Sequence, residues 1–171
     1  MRTAIYPGTF DPITLGHIDV IRKTLKIADR VVVATTDNIN KDYFFSIDER
    51  ISIIKNSLFK DLKFNKKKIL VTPFDTLTID ICKKFKASII IRGLRAVSDF
   101  EYEFQLAGMN KKLNKDIETI FLMSDVENQI ISSRFVKEIA KLNGNINKFL
   151  TKSAMKALKD KLKWKSIYYF L

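Results

Sequence analysis

"TAIYPGTFDPITLGHIDVIRKTLKIADRVVVAT", Thr3 to Thr35, sets two apolar runs around one stretch of helical spacing. Thr3 to Tyr6 reads as a short strand. From Gly16 to about Ala28, Ile18, Ile21, Leu25 and Ala28 recur at steps of three and four, lining one face of a helix. "RVVVAT" (Arg30 to Thr35) is apolar without alternation, the mark of a strand covered on both faces. Strand, crossover helix and buried strand make the unit of a parallel sheet.

The same unit recurs outward from there. In "SIDERISIIKNSLF", Ser46 and Glu49 form a capping box, and Ile47, Ile51, Ile54 and Leu58 continue an apolar helix face. "KILVTPF" (Lys68 to Phe74) is the third strand, followed by a helix from Asp75 or Thr76 to near Lys86. "SIIIRG" is the fourth. A second capping box, Ser98 with Glu101, opens the helix "SDFEYEFQLAGMNKKLN", and "ETIFLM" is the fifth strand. Two helices close the chain, one from Ser132 or Ser133 to Leu142 with Gly144 as its stop, the other from about Thr151 to Leu162. The expected fold is α/β: a single-domain, five-stranded parallel sheet with helices on both faces. "KDLKFNKKKIL" reads as a solvated loop before the third strand.

Composition narrows the partners. With 171 residues, 46% of them hydrophobic, the chain supports one core. Lys and Arg number 31 against 19 Asp and Glu, a formal charge of +12 that fits a nucleic acid, a polyanionic substrate or simple solvation. No RNP-like aromatic strand, Cys/His finger or Arg-rich block accompanies that charge, so no nucleic-acid partner is expected. The lone Cys82 makes no internal disulfide, and "DICKKF" offers no second ligand for zinc, which predicts a buried thiol. The apolar runs fall short of the roughly 20 residues a membrane span needs. Met1-Arg2 leads into a strand with no apolar leader, so the expected location is cytoplasmic and no membrane partner is expected.

In an open parallel sheet, ligands bind beyond the carboxyl ends of the strands. After the first strand, Pro7, Gly8 and Pro12 tighten the turn, Thr9 supplies a hydroxyl, and Gly16 is expected to let the backbone pass close to a ligand. His17 follows in the first turn of a helix, where free N–H groups and the dipole favour anions. Lys41 follows the second strand, Arg92 and Arg95 the fourth, and Ser132 and Ser133 open a helix after the fifth. A histidine, a lysine, two arginines and two serines at four strand ends make a site for phosphates. No Walker loop, Gly-x-Gly-x-x-Gly run or nucleophile elbow is present. Glu101 and Glu103 alternate along a helix and point apart, so paired acid/base work is not expected of them.

"TLGH" (Thr14 to His17) is the Thr-x-Gly-His form of the nucleotidylyltransferase superfamily signature. With "NINKDYFFSIDERISII", "IIIRGLRAVSDFEYEFQLAGMN" and "ETIFLMSDVENQIISSRFVKE" in order, the chain resembles the bacterial phosphopantetheine adenylyltransferases from Ala4 to about Leu162. The resemblance implies a Rossmann-like nucleotidylyltransferase domain over 1–162, followed by an extension, 163–171. It implies adenylyl transfer from ATP to 4′-phosphopantetheine by direct in-line attack, giving 3′-dephospho-coenzyme A and pyrophosphate. His17, Lys41 and Arg92 would be catalytic. Thr9, Lys41, Leu77, Thr78, Arg92, Met109 and Asn110 would bind the acceptor. Thr9, Phe10, His17, Arg92, Gly93, Arg95, Glu103, Ile131, Ser132 and Ser133 would bind ATP.

Further implications are Mg²⁺ held mainly by the ATP phosphates, no protein metal site, a homohexamer built as a dimer of trimers, and coenzyme A as feedback inhibitor. The alternatives are a superfamily cousin acting on nicotinamide mononucleotide or a glycerol-type phosphate, and a nucleic-acid-binding module. Three features depart from or qualify the family pattern: Arg134 stands where a third small hydroxyl residue is usual, Lys137 where many superfamily cousins carry arginine, and "KWKSIYYFL" runs past the usual end. The apolar residues of that end, Trp164, Ile167, Tyr168, Tyr169, Phe170 and Leu171, are expected to pack on the domain or a neighbouring subunit.

Overall fold

Val, Ile and Thr crowd the five apolar segments, and each segment forms a strand: β1 (Thr3–Gly8), β2 (Arg30–Thr36), β3 (Ile69–Phe74), β4 (Ile89–Leu94) and β5 (Glu118–Met123). The computed structural model describes residues 1–38, 41–95 and 97–168, without the side chains of 97–99 and 164–168. All neighbouring strands pair in parallel, in the order β3-β2-β1-β4-β5. Ile5 lies in register with Val32 on one side and Ile90 on the other. These three share one face of the sheet with Ile79, Ile81 and Cys82 of α3 (Thr78–Lys84). Their sequence neighbours Ala4, Val31 and Ile91 point to the opposite face. That face is covered by α1 (Leu15–Ile27), α2 (Ile47–Lys55), α6 (Ser133–Lys141) and α7 (Lys152–Tyr168). The central strands β1 and β2 are therefore buried on both sides, which is why their middles are apolar without alternation, whereas the edge strands β3 and β5 are only partly covered. Cys82 is fully buried, and burial pushes its thiol up to about 12.

Several local expectations change. The Ser46–Glu49 capping box forms, but α2 passes into a π-helical turn, Asn56–Asp61. α3 starts later than Asp75 or Thr76 because Leu77 keeps an extended backbone (φ −65°, ψ 147°). α4 (Val97–Leu113) already includes Val97, so Ser98 stands inside the first turn rather than before it; the expected Ser98–Glu101 box rests on a side chain outside the described residues. After α6 the left-handed residue is Asn143 (φ 58°), not Gly144. Gly144 serves by its small size, since a Cβ there would lie 2.6 Å from Ile139 Cγ2. The short helix α5 (Val126–Gln129) has no counterpart in the expected elements. α7 continues beyond Leu162 to Tyr168, and the packing expected of the apolar end lies outside the described residues. Among the described residues, no helix is long and apolar enough to cross a membrane.

Candidate active site

From β1 the chain builds outward through β2 and β3, while β4 and β5 are added on the other side of β1. The loops leaving β1 and β4 therefore part, and a cleft of about 1230 Å³ opens between them. Thr9, Phe10, His17, Lys41, Arg92, Gly93, Arg95, Glu103, Ile131, Ser132 and Ser133 all lie in its wall. Leu77, Thr78, Met109 and Asn110 do not; Leu77 and Met109 are exposed at the surface of the loop before α3 and of α4.

His17 is the third residue of α1, one of the first-turn positions where a helix leaves backbone donors unmet. Its Nδ1 accepts the Thr14 backbone N–H at 3.0 Å, with the Thr14 hydroxyl at 2.9 Å. With Nδ1 used as an acceptor, the proton of a neutral ring sits on Nε2. Burial, and after it the charge of Arg95, lowers the His17 pKa from 6.5 to about 3. The Phe10 ring contributes to that burial, edge-on at 5.0 Å between centroids. His17 is thus a neutral N–H donor near neutral pH, and it also caps the helix that carries it.

Arg92, at the end of β4, forks onto Glu103 of α4 with Nε and Nη2 each 2.5 Å from a carboxylate oxygen, and Nη1 donates to the Pro7 carbonyl at 3.2 Å. Glu103 therefore orients Arg92. Ser132 caps α6, its Oγ accepting the Phe135 N–H at 3.1 Å, while Ser133 Oγ donates to the Pro12 carbonyl at 2.8 Å. These bonds aim the first turn of α6, whose leading N–H groups have no intrahelical acceptor, at the cleft. Gly16 has a second role beside the expected one. A Cβ there would lie 3.1 Å from the Asn128 carbonyl oxygen, so its missing side chain admits α5, while its backbone still lines the cleft. Arg134 lines the rim with its side chain 84% exposed, and its Nε is 3.1 Å from Glu138.

Two further charged residues, which no motif marks, lie in or beneath this wall. Asp11, 5% exposed, accepts the N–H groups of Phe44 and Phe45 at 2.8 and 2.9 Å and the Lys137 ammonium at 2.8 Å. Arg50 is completely buried beneath the ends of β1 and β2. A signal for Arg50 was available: it precedes Ile54 by four residues and Leu58 by eight, the spacing of the buried face of α2. Among the described residues no group of three or more His, Cys, Asp or Glu could hold a metal ion. In the cleft itself, Asp11 and Glu103 already serve Lys137 and Arg92.

A cleft lined by cations from several strand ends, at the switch point of a five-stranded parallel sheet, is where an open α/β protein binds its ligands. Residues 5–139 match the cytidylyltransferase-like family model. A solved structure from Vibrio parahaemolyticus, provisionally assigned as a nicotinate-nucleotide adenylyltransferase, shares the fold with a TM-score of 0.70 at 17% identity, over 95% of each chain. Closer in sequence are two proteins named phosphopantetheine adenylyltransferase. One, from Pelagibacter ubique, is 68% identical, covering 94% of this chain and 98% of that one. The other, from Sphingopyxis alaskensis, is 51% identical, covering 92% of each. The chain belongs to the phosphopantetheine adenylyltransferase family and is an enzyme, a nucleotidyltransferase.

Proposed function

We propose that this cleft transfers the adenylyl group of ATP to 4′-phosphopantetheine in one in-line step, giving 3′-dephospho-coenzyme A and pyrophosphate. The reaction is that of the family, in coenzyme A synthesis. The second pKa of a phosphate monoester is about 6, so the attacking phosphate is mostly dianionic at neutral pH and needs no base. The protein's task is to hold two polyanions in line and meet the charge that builds at the α-phosphate. The observation that carries this reading is His17: a ring pinned through Nδ1 and kept neutral donates from Nε2 and does not abstract protons.

In this reading Thr9 and Lys41 hold the acceptor phosphate, and His17 and Arg92 meet the α-phosphate. Phe10, Gly93, Arg95, Ile131 and the first turn of α6 at Ser132 and Ser133 receive ATP, with Glu103 acting through Arg92. The pantetheine arm then leaves the cleft toward α3 and α4, where Leu77, Thr78, Met109 and Asn110 stand; exposed apolar Leu77 and Met109 support this path. Mg²⁺ would arrive with the nucleotide and neutralise phosphate charge; of the carboxylates lining the cleft, Asp11 and Glu103 are committed to Lys137 and Arg92, so Asp42 is the one that would assist in holding it. Coenzyme A, sharing the acceptor's pantetheine arm, competes for the same site. The enzyme works in the cytoplasm as a hexamer of two trimers. The deciding assay is pyrophosphate release from ATP and Mg²⁺ with and without 4′-phosphopantetheine. Release that requires the acceptor is expected. Release equally supported by nicotinamide mononucleotide or glycerol phosphate would overturn the acceptor assignment.

A further inference from the structure

Arg50 has no exposure to solvent, yet its guanidinium reaches four acceptors on two separate strand ends. Nη1 donates to the Thr9 carbonyl at 3.1 Å, the Thr35 hydroxyl at 3.2 Å and the Thr36 carbonyl at 2.7 Å; Nη2 meets the Asp37 carboxylate at 3.0 Å. The Tyr43 ring lies on the guanidinium, 3.9 Å from Cζ to centroid. Tyr43 in turn accepts the Asn38 N–H at 3.0 Å through its hydroxyl, and the Lys41 N–H donates to the Asn38 carbonyl at 3.1 Å. Lys41 therefore sits between two points, Asp37 and Tyr43, that are both fastened to one guanidinium. Thr9 is fastened to the same group.

We infer that Arg50 is a positioning residue for the reaction, setting the distance between Thr9 and Lys41 across the acceptor-phosphate end of the cleft. The inference rests on the reading of Thr9 and Lys41 as the groups that hold that phosphate. Stability alone gives little reason for an arginine here. Its Nε is buried without an acceptor among the described residues, a cost to folding, and buried ion pairs are often replaced by apolar side chains of similar volume without loss. What an apolar side chain cannot do is tie β1, β2 and the Lys41 segment to one rigid plane.

The test compares Arg50→Lys, Asp37→Asn and Lys41→Ala by steady-state kinetics with each substrate varied, alongside thermal unfolding. Lysine keeps the charge but a single ammonium cannot span the four acceptors. For Arg50→Lys, kcat/KM for 4′-phosphopantetheine is expected to fall about 10-fold to 100-fold, the range that small misplacement of reacting groups produces, while KM for ATP stays within about twofold. Asp37 is 44% exposed, so Asp37→Asn keeps the fold and is expected to shift the acceptor term in the same direction by about threefold, deciding the matter if Arg50→Lys does not fold. An acceptor KM and kcat unchanged in whichever of these two variants fold, or equal losses for both substrates that track folded fraction, would overturn the inference. If Lys41→Ala raises acceptor KM while the other two do nothing, the site reading stands and Arg50 is structural. If Lys41→Ala also leaves acceptor KM untouched, the assignment of Lys41 fails and takes this inference with it.

Discussion

At the scale of single residues, His17 combines two duties that a sequence reading tends to set against each other. The ring ties the start of α1 through Nδ1 and offers Nε2 to the cleft. His17→Ala is expected to lower kcat by about 10²-fold to 10³-fold, the usual cost of one lost transition-state donor, with KM for either substrate within a few-fold. A variant that keeps its turnover and loses only affinity would return His17 to ground-state binding. The same ring gives a pH signature. Its pKa is near 6.5 unfolded and about 3 folded, so between those values the unfolded chain binds a proton that the native state refuses. Stability from this group is therefore lost as pH falls from about 6.5 toward 3. In urea melts at pH 7 and pH 4.5, His17→Gln should lose less stability than the parent on acidification; equal losses would mean that the ring is not held neutral. Position relative to strand ends made His17, Arg92 and Arg95 legible in the sequence. The burial of Arg50 was legible in its spacing to Ile54 and Leu58, but its partners, like those of the loop carboxylate Asp11, become visible only when the tertiary contacts form.

Among the elements, the ends of helices carry the differences between expectation and structure. After α6, Asn143 takes the left-handed conformation and Gly144, the expected stop, instead leaves room for Ile139. Gly144→Ala is therefore expected to destabilise by about 1–3 kcal/mol through overpacking. Chemical denaturation would measure it, and a change under about 0.5 kcal/mol, the range of ordinary surface substitutions, would show that Ile139 moves aside freely. At the other wall Gly16 also leaves room, here for a carbonyl of α5, while lining the cleft. α5 itself, only four residues long, has no room for a period that a sequence pattern could register.

Across the whole molecule, apolar surface gathers on α4 and the end of edge strand β5: Phe100, Tyr102, Phe104 and Met123 are all more than a third exposed. Apolar surface of this kind supports the proposed self-assembly. Phe104→Glu is expected to reduce the particle mass in sedimentation velocity; an unchanged mass would place any subunit contact elsewhere. The order of strands and helices, and with it the parallel sheet and the strand ends that line its cleft, followed from the sequence because periodicity and capping are local and repeat in chain order. The strand order β3-β2-β1-β4-β5 brings loops from distant parts of the chain to one cleft, and only there do Arg50 meet Thr9 and Asp37, Glu103 meet Arg92, and Lys137 meet Asp11. Those pairings belong to the tertiary structure, because each joins charges or polar groups separated along the chain by more than any local period records.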